Sequence, residues 1–257
     1  MRYVTVAEGR RAPGLRLVLS AGVPGPWGEA AKAILRVKGL DYVAVAQEVG
    51  GENAELREWT GQVSAPVAAW NDEPPCTDSL DILFLAERLA PSPRLIPADV
   101  AERARMFGIA REIIGRRGLG WMRRAMLIAP LLGDPGAAPG VRAMGARYGC
   151  HEESRAGAEA EVVRIVAFLA QTLAAQRAAG SRYLVGETLS AADLYWATFS
   201  NMLQPLPEAD CPMPAHVRQA YGHIGPAIAA ALTPELIAHR DAVFREHIGL
   251  PLDFLPS

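Results

Sequence analysis

Ala65-Pro66-Val67-Ala68-Ala69-Trp70-Asn71-Asp72-Glu73-Pro74-Pro75-Cys76-Thr77-Asp78-Ser79-Leu80-Asp81-Ile82-Leu83 carries the signals from which the fold can be read. Pro66–Trp70 is an apolar run of strand length that begins on a proline, a residue tolerated at the first position of a strand. Asn71–Pro75 is a cluster of turn formers. Cys76–Thr77 leaves room for a very short fourth strand. Asp78 or Thr77 then caps a helix whose Leu80, Ile82, Leu83, Leu85 and Leu89 form its buried side. Strand, turn, short strand and helix make a hairpin that hands over to a helix.

Upstream, Leu15, Leu17 and Leu19 alternate with Arg16 and Val18 as in a strand, and Ala30, Ala33, Ile34 and Val37 recur at helical spacing until Gly39. Tyr42–Ala46 reads as a second strand buried on both faces, and Glu52–Trp59 as a short helix. Two strands joined through a helix form a parallel pair by a right-handed crossover. The order is therefore β-α-β, a short helix, then β-β-α. Past Pro91-Ser92-Pro93 strands vanish. Val100–Arg117, a long Glu152–Ala179, Ser190–Leu203 and Pro234–His247 read as helices, whereas Gly118–Tyr148 is rich in Gly and Pro and has no clear period. The expected organisation is an N-terminal extension (1–13), an α/β domain (14–90), a linker (91–97) and an all-helical domain (98–257). Tyr3–Val6 reads equally well as an extra strand or as part of a flexible arm.

Composition narrows function. The 257 residues are 50% hydrophobic and carry a net charge of −2, too apolar and too neutral for a disordered chain. Residues 1–90 hold 9 basic and 12 acidic side chains (−3) and residues 91–257 hold 17 and 16 (+1), so neither part has the strongly basic balance that points to nucleic acid. The longest charge-free stretch, Gln219–Pro234, has 16 residues and is interrupted by Gly222 and Pro226, short of the ~20 a membrane span needs. Cys76, Cys150 and Cys211 are odd in number and far apart, which indicates neither a zinc ribbon nor a disulfide framework and suits a reducing cytoplasm. The five histidines lack metal-site or triad neighbours; His239 and His247 read as solvated, and no metal is expected. Only Lys32 and Lys38 are lysines, which with the many alanines suggests a GC-rich bacterial genome.

Two local motifs have a chemical reading beside a structural one, and a third is structural. Asp78-Ser79 at a helix start offers a carboxylate, a hydroxyl and exposed amides, a set suited to an amino-acid head group; it equally suits a plain cap. Ala65-Pro66 takes a cis bond or an ordinary trans one, and a cis bond turns the Ala65 backbone toward a peptide-like ligand. Leu189-Ser190-Ala191-Ala192-Asp193-Leu194 is a capping box with a hydrophobic staple, a structural device built on Ser190 and Asp193.

Taken in order, these landmarks resemble a cytosolic glutathione S-transferase. Val37-Lys38-Gly39-Leu40-Asp41-Tyr42 is similar to the family's KGLDY before the second strand. Ala65-Pro66-Val67 is similar to its VPV with cis-proline, Thr77–Leu83 to its ESxAIL, and Gly186–Asp193 to its G-x-x-x-S-x-A-D box. The resemblance covers roughly residues 14–250. It implies a thioredoxin-like N-terminal domain (βαβ-α-ββα) joined to an all-α C-terminal domain. It also implies glutathione as co-substrate, a small apolar electrophile, a cytoplasmic homodimer and a role in detoxification. Asp78 and Ser79 would hold the γ-glutamyl head, Ala65 and Pro66 the cysteinyl part, and Gln62 a further contact.

One departure stands out. Where omega-like and zeta-like members carry Cys or Ser, this chain has Gly25-Pro26-Trp27. Ser20, at the end of the first strand, is the only nearby hydroxyl and becomes the candidate thiolate donor. Trp27 either stacks on the co-substrate or is a packing aromatic, and Trp121, Met122 and Arg123 fall where the family builds its second-substrate pocket. Conjugation is the expected activity; the alternative is a non-catalytic protein that binds glutathione or apolar ligands on the same fold.

Overall fold

The computed structural model describes residues 1–256, apart from the side chains of residues 152 and 154. Among the described residues, its first unit comprises 1–94, 207–214 and 247–256; its second comprises 95–206 and 215–246. This partition departs from the expected boundaries: the N-terminal extension is integral to the first unit, and so is the end of the chain.

In the first unit, α1 (Val6–Arg11), β1 (Leu15–Ser20), α2 (Pro26–Val37), β2 (Val43–Gln47), α3 (Ala54–Thr60), β3 (Val67–Trp70) and α4 (Ser79–Leu89) follow in order. The sheet runs β2-β1-β3, with β2 parallel to β1 and β3 antiparallel. The short fourth strand reduces to a single bridge between Ala68 and Cys76. Residues Leu15–Leu19 are all buried, Arg16 included. Arg16 is accommodated by donating to the carbonyls of Gly14 (3.0 Å) and Asn71 (2.7 Å), with its guanidinium over the Trp59 ring. One sheet face packs Val18, Val45, Leu56 and Val67 beneath Val4, Val6, Trp59 and Ala65. On the other, Leu19 meets the first turn of α2 at Gly28, where an added Cβ would lie 3.2 Å from Leu19 Cδ2.

The N-terminal segment is neither a full strand nor a loose arm. Val4 exchanges backbone bonds with Ala44 and Ala46 at the free edge of β2. The chain then turns into α1, capped reciprocally by Thr5 and Glu8. Gly9 lies so close to β2 that a Cβ there would sit 2.4 Å from Val45 Cγ2. The chain end returns to the same unit: Tyr3 donates to the Phe254 carbonyl (3.1 Å), Gly22 N–H to Phe254 (3.0 Å) and Lys32 Nζ to Asp253 (2.6 Å). Ile248, Leu252 and Phe254 are buried beneath this strap.

The second unit is helical: α5 (Val100–Ile114), α6 (Leu119–Leu132), α7 (Pro139–Tyr148), α8 (Glu152–Arg155), α9 (Ala158–Ala178), α10 (Ala191–Ser200), α11 (Ala215–Gly222), α12 (Pro226–Ala231) and α13 (Pro234–Val243). The aperiodic Gly118–Tyr148 stretch is α6 and α7 joined by a Gly/Pro loop. The expected Glu152–Ala179 helix is broken, because Gly157 takes φ +76°, a left-handed conformation that no continuing helix contains. Every residue of α10 is buried. The capping box forms, and its carboxylate does more than cap. Asp193 accepts from the Ser190 amide (2.9 Å), the Ser190 hydroxyl (2.8 Å) and the Leu184 amide (2.8 Å). His239 was expected in solvent; instead it is buried with Nε2 3.0 Å from Asp193 Oδ1. Helical periodicity on a charged helix could not reveal a partner 46 residues away.

Candidate glutathione site

Strand register brings the expected contacts to one place. Val18 pairs with Val67 across the antiparallel β1–β3 ladder, so the end of β1 lies beside the start of β3. Ala68 bridges Cys76 antiparallel, so the chain from Cys76 runs back toward that same start. Asp78 and Ser79 follow two and three residues after this bridge, and Pro66 precedes it by two. Three features are therefore carried toward one end of the strands, called here the shared edge: the β1–α2 turn, the Ala65–Pro66 bond and the first residues of α4. The Ala65–Pro66 bond is cis.

Asp78 is the N-cap of α4, and its Oδ1 accepts from the Leu80 amide at 2.8 Å. The structural reading of this residue is thus realised, and it leaves Oδ2 for a second role. Ser79 follows as the first helical residue and is half-buried. Gln62 is exposed just past α3, its amide held by the Thr60 hydroxyl at 3.2 Å.

Across the edge, α2 begins at Gly25, whose extended backbone (φ −64°, ψ 125°) places it as the N-cap. No side chain caps this helix, and its first residue, Pro26, has no N–H to give. The Glu29 amide closes the first helical bond onto the Gly25 carbonyl (2.9 Å). The amides ahead of it point out of the helix, toward the positive end of its dipole. A Cβ at Gly25 would meet nothing within 4 Å. Trp27 stands in this first turn, half-buried.

Ser20 is placed otherwise than expected. Its hydroxyl donates to Gln47 Oε1 at 2.8 Å, across the parallel β1–β2 pair in which Ser20 and Gln47 are register partners. Alternation along β1 puts it on the face of Val18, opposite the Leu19 face that meets α2. Gln47 in turn donates to the Val63 carbonyl (3.3 Å). Gln47 was not a sequence candidate, since only the strand register reveals it. Cys76, the nearest thiol, is no substitute. Burial, then the carboxylates of Asp81 and Glu73, push its pKa up and keep it protonated.

In the second unit, the three expected pocket residues separate by role. Arg123 is buried and donates to the carbonyls of Met202 (3.0 Å), Ala220 (2.9 Å), Tyr221 (3.1 Å) and His223 (2.8 Å). It caps the C-terminal end of α11, a structural role favoured by that end's negative dipole. Trp121 packs edge-on against Tyr148 at 5.8 Å, with the Arg124 guanidinium over both rings. Met122 is half-buried on α6.

With this geometry in place, comparison with known proteins becomes specific. Residues 22–94 match the family model described as the glutathione S-transferase N-terminal domain. That segment is similar in sequence to this domain. The whole chain shares the glutathione S-transferase fold with solved structures of low sequence identity. One is a glutathione S-transferase from Methylobacillus flagellatus with GSH bound: 16% identity, 95% of this chain and 100% of that chain covered, TM-score 0.65. A second is the β-etherase LigF from a Sphingobium strain: 20% identity, 89% and 99% covered, TM-score 0.59. A third is a glutathione transferase Omega 3C from Trametes versicolor: 14% identity, 95% and 90% covered, TM-score 0.59. No curated protein sequence matches the chain. Among the described residues, no cluster of three or more His, Cys, Asp or Glu could hold a metal ion, and no helix is long and apolar enough to cross a membrane.

Proposed function

We propose that the protein is a glutathione transferase that binds glutathione along the shared edge of its sheet and directs the thiolate to an apolar electrophile. The convergence of the cis Ala65–Pro66 bond, the Asp78 cap and the uncapped start of α2 carries this reading. In it, Asp78 Oδ2 receives the γ-glutamyl ammonium, and Ser79 with the first-turn amides of α4 receives its carboxylate. The Ala65 backbone aligns the cysteinyl residue, and the sulfur is delivered to the start of α2. Trp27 offers a ring against which a flat electrophile stacks. A cytoplasmic homodimer acting in detoxification accompanies this reading, and light scattering tests the dimer.

Magnitudes set the expected rate. A free thiol has a pKa near 8.5, and lowering it by ~2 units takes ~2.7 kcal/mol of thiolate stabilisation. A hydrogen bond to a charged group supplies about 1.5–3 kcal/mol, and that is the contribution Ser20 was expected to make. With its proton on Gln47, Ser20 must break an existing bond to donate. The α2 N-terminus supplies about 0.3–1 kcal/mol, enough for less than one pKa unit. Catalysis here is therefore mainly positioning of the thiol beside the electrophile, with modest electrostatic help.

The test is a glutathione titration followed at the thiolate ultraviolet band, in parallel with turnover of a chlorodinitroarene. Saturable binding with a small thiolate fraction at neutral pH and slow turnover is the expected result. Saturable binding without turnover would point to a carrier, and no binding would overturn the reading. Ser20→Ala should leave both signals within about twofold of the native protein, because its hydroxyl already serves Gln47.

A further inference from the structure

Away from the proposed glutathione site, the first unit has a solvent-open cavity of about 570 Å³ between α2, the turn leading into β2 and the C-terminal strap. Its size lies in the range of small-molecule sites. Its walls are of two kinds. Ala33, Leu40, Ile248 and Leu252 make an apolar side. The polar side comes from α2 and the turn, and most of its charge is already paired. Glu29 is buried and bound through both oxygens to Lys32 Nζ at 2.9 Å, while Lys32 also donates to the Asp253 carbonyl. Asp253 is engaged by the Met1 amino group.

Among the described residues that line this cavity, two side-chain donors make no hydrogen bond or ion pair: the Arg36 guanidinium and the Tyr42 hydroxyl. Arg36 has no hydrogen bond or ion pair among the described residues, and its Nη2 lies against the strap at Gly249. A Cβ at Gly249 would sit 2.7 Å from it, and Gly249 has φ +85°. Tyr42 is half-buried. Burial, then the negative charge of Glu29, push its pKa up, so it stays a donor across the neutral range. An unpaired guanidinium and a donor hydroxyl beside apolar walls suit an anion with an apolar body. Asp41, a further carboxylate on the wall with no partner, disfavours a doubly charged guest.

We propose that this cavity is a second ligand site, separate from the glutathione edge, which takes a small monocarboxylate with its charge on Arg36 and Tyr42 and its apolar body against Ala33, Leu40, Ile248 and Leu252. This site is independent of transferase activity. The probe is benzoate, titrated into the full chain by calorimetry with and without saturating glutathione. Benzyl alcohol serves as the uncharged analogue and phenylphosphonate as the dianion. Saturable benzoate binding that survives glutathione is expected, with weaker binding of both analogues. Arg36→Gln, at an exposed position, should weaken benzoate at least about tenfold, and Tyr42→Phe several-fold, both with glutathione affinity unchanged. The proposal is overturned by no binding at about 10 mM benzoate, by displacement with glutathione, by unchanged affinity in either variant, or by phenylphosphonate binding more tightly than benzoate.

Discussion

Gly25 is the residue at which this chain departs most from what its fold suggests. The position has the extended backbone of an N-cap and open space around a would-be Cβ, so nothing steric demands glycine there. Gly25→Ser should cap α2 and raise stability by a few tenths of a kcal/mol, roughly the difference between Gly and Ser caps. It should also raise kcat/KM for a chlorodinitroarene by about tenfold, the effect of a hydrogen bond of ~1.5 kcal/mol to the thiolate. An unchanged rate in a stably folded variant would mean that the sulfur is not delivered to α2. Glu29, one turn further on, tests the burial of the α2–strap layer. Burial raises its pKa above the ordinary 4.5 more than Lys32 lowers it. The unfolded chain then releases this proton at lower pH than the folded chain. The Glu29 contribution to stability is accordingly full below about pH 4.5 and is lost as pH rises through the raised folded-state pKa. Urea unfolding across that window should show a falling slope in the native protein and a flatter one in Glu29→Gln; equal slopes would contradict the assignment. Part of the residue scale was legible from sequence. Asp78 was one of two cap candidates with Thr77, and the structure makes it the N-cap; a cap is legible because capping depends on neighbours two and three residues away. Ser20 and Arg123 were not legible, because their partners, Gln47 and the carbonyls ending α11, are brought up by strand register and helix packing.

Elements were legible where a local period or a cap defined them. The β-α-β and hairpin parts of the first unit follow from alternation, turn clusters and the Asp78 cap. The Ser190–Asp193 box marked the start of α10. Where one glycine changes the outcome, periodicity failed: the apolar period of 152–179 is continuous, yet Gly157 at φ +76° divides it. Two predictions belong at this scale. Gly9→Ala drives a methyl to 2.4 Å from Val45 Cγ2. It should destabilise by about 1–3 kcal/mol, as overpacking does, and a lowered midpoint in urea would show it. Asp193→Ala removes the acceptor of three hydrogen bonds and the carboxylate facing His239 at a site without solvent. A loss of roughly 3–5 kcal/mol is expected for breaking a buried charged network, which circular dichroism would register as a large fall in melting temperature. A shift of a degree or two would instead mean that the network contributes little.

At the scale of the molecule, the ends of the chain matter more than their sequence suggests. Residues 1–13 and 247–256 join the first unit, linked to each other through Tyr3 and Phe254. Deleting residues 249–257 uncovers the sites of Leu252 and Phe254, each of which contributes about 1.5–3 kcal/mol by burial, and should lower the thermal midpoint clearly. Tyr3 reports on the same layer. Burial, then Glu29 and Asp253, raise its pKa to about 12, so strap stability should decline as pH rises from 10 toward that value, and the tyrosinate absorbance of Tyr3→Phe should lack this late step. By itself the sequence determined the two-part architecture and the β-α-β and hairpin order of residues 15–89, because alternation, helical period, caps and turns act within a few residues. Only the tertiary structure decided what Ser20, Arg123 and His239 touch, where the two termini lie, and that a cavity opens beside Arg36. Those outcomes depend on register and on packing between segments tens to hundreds of residues apart, and no local pattern encodes them.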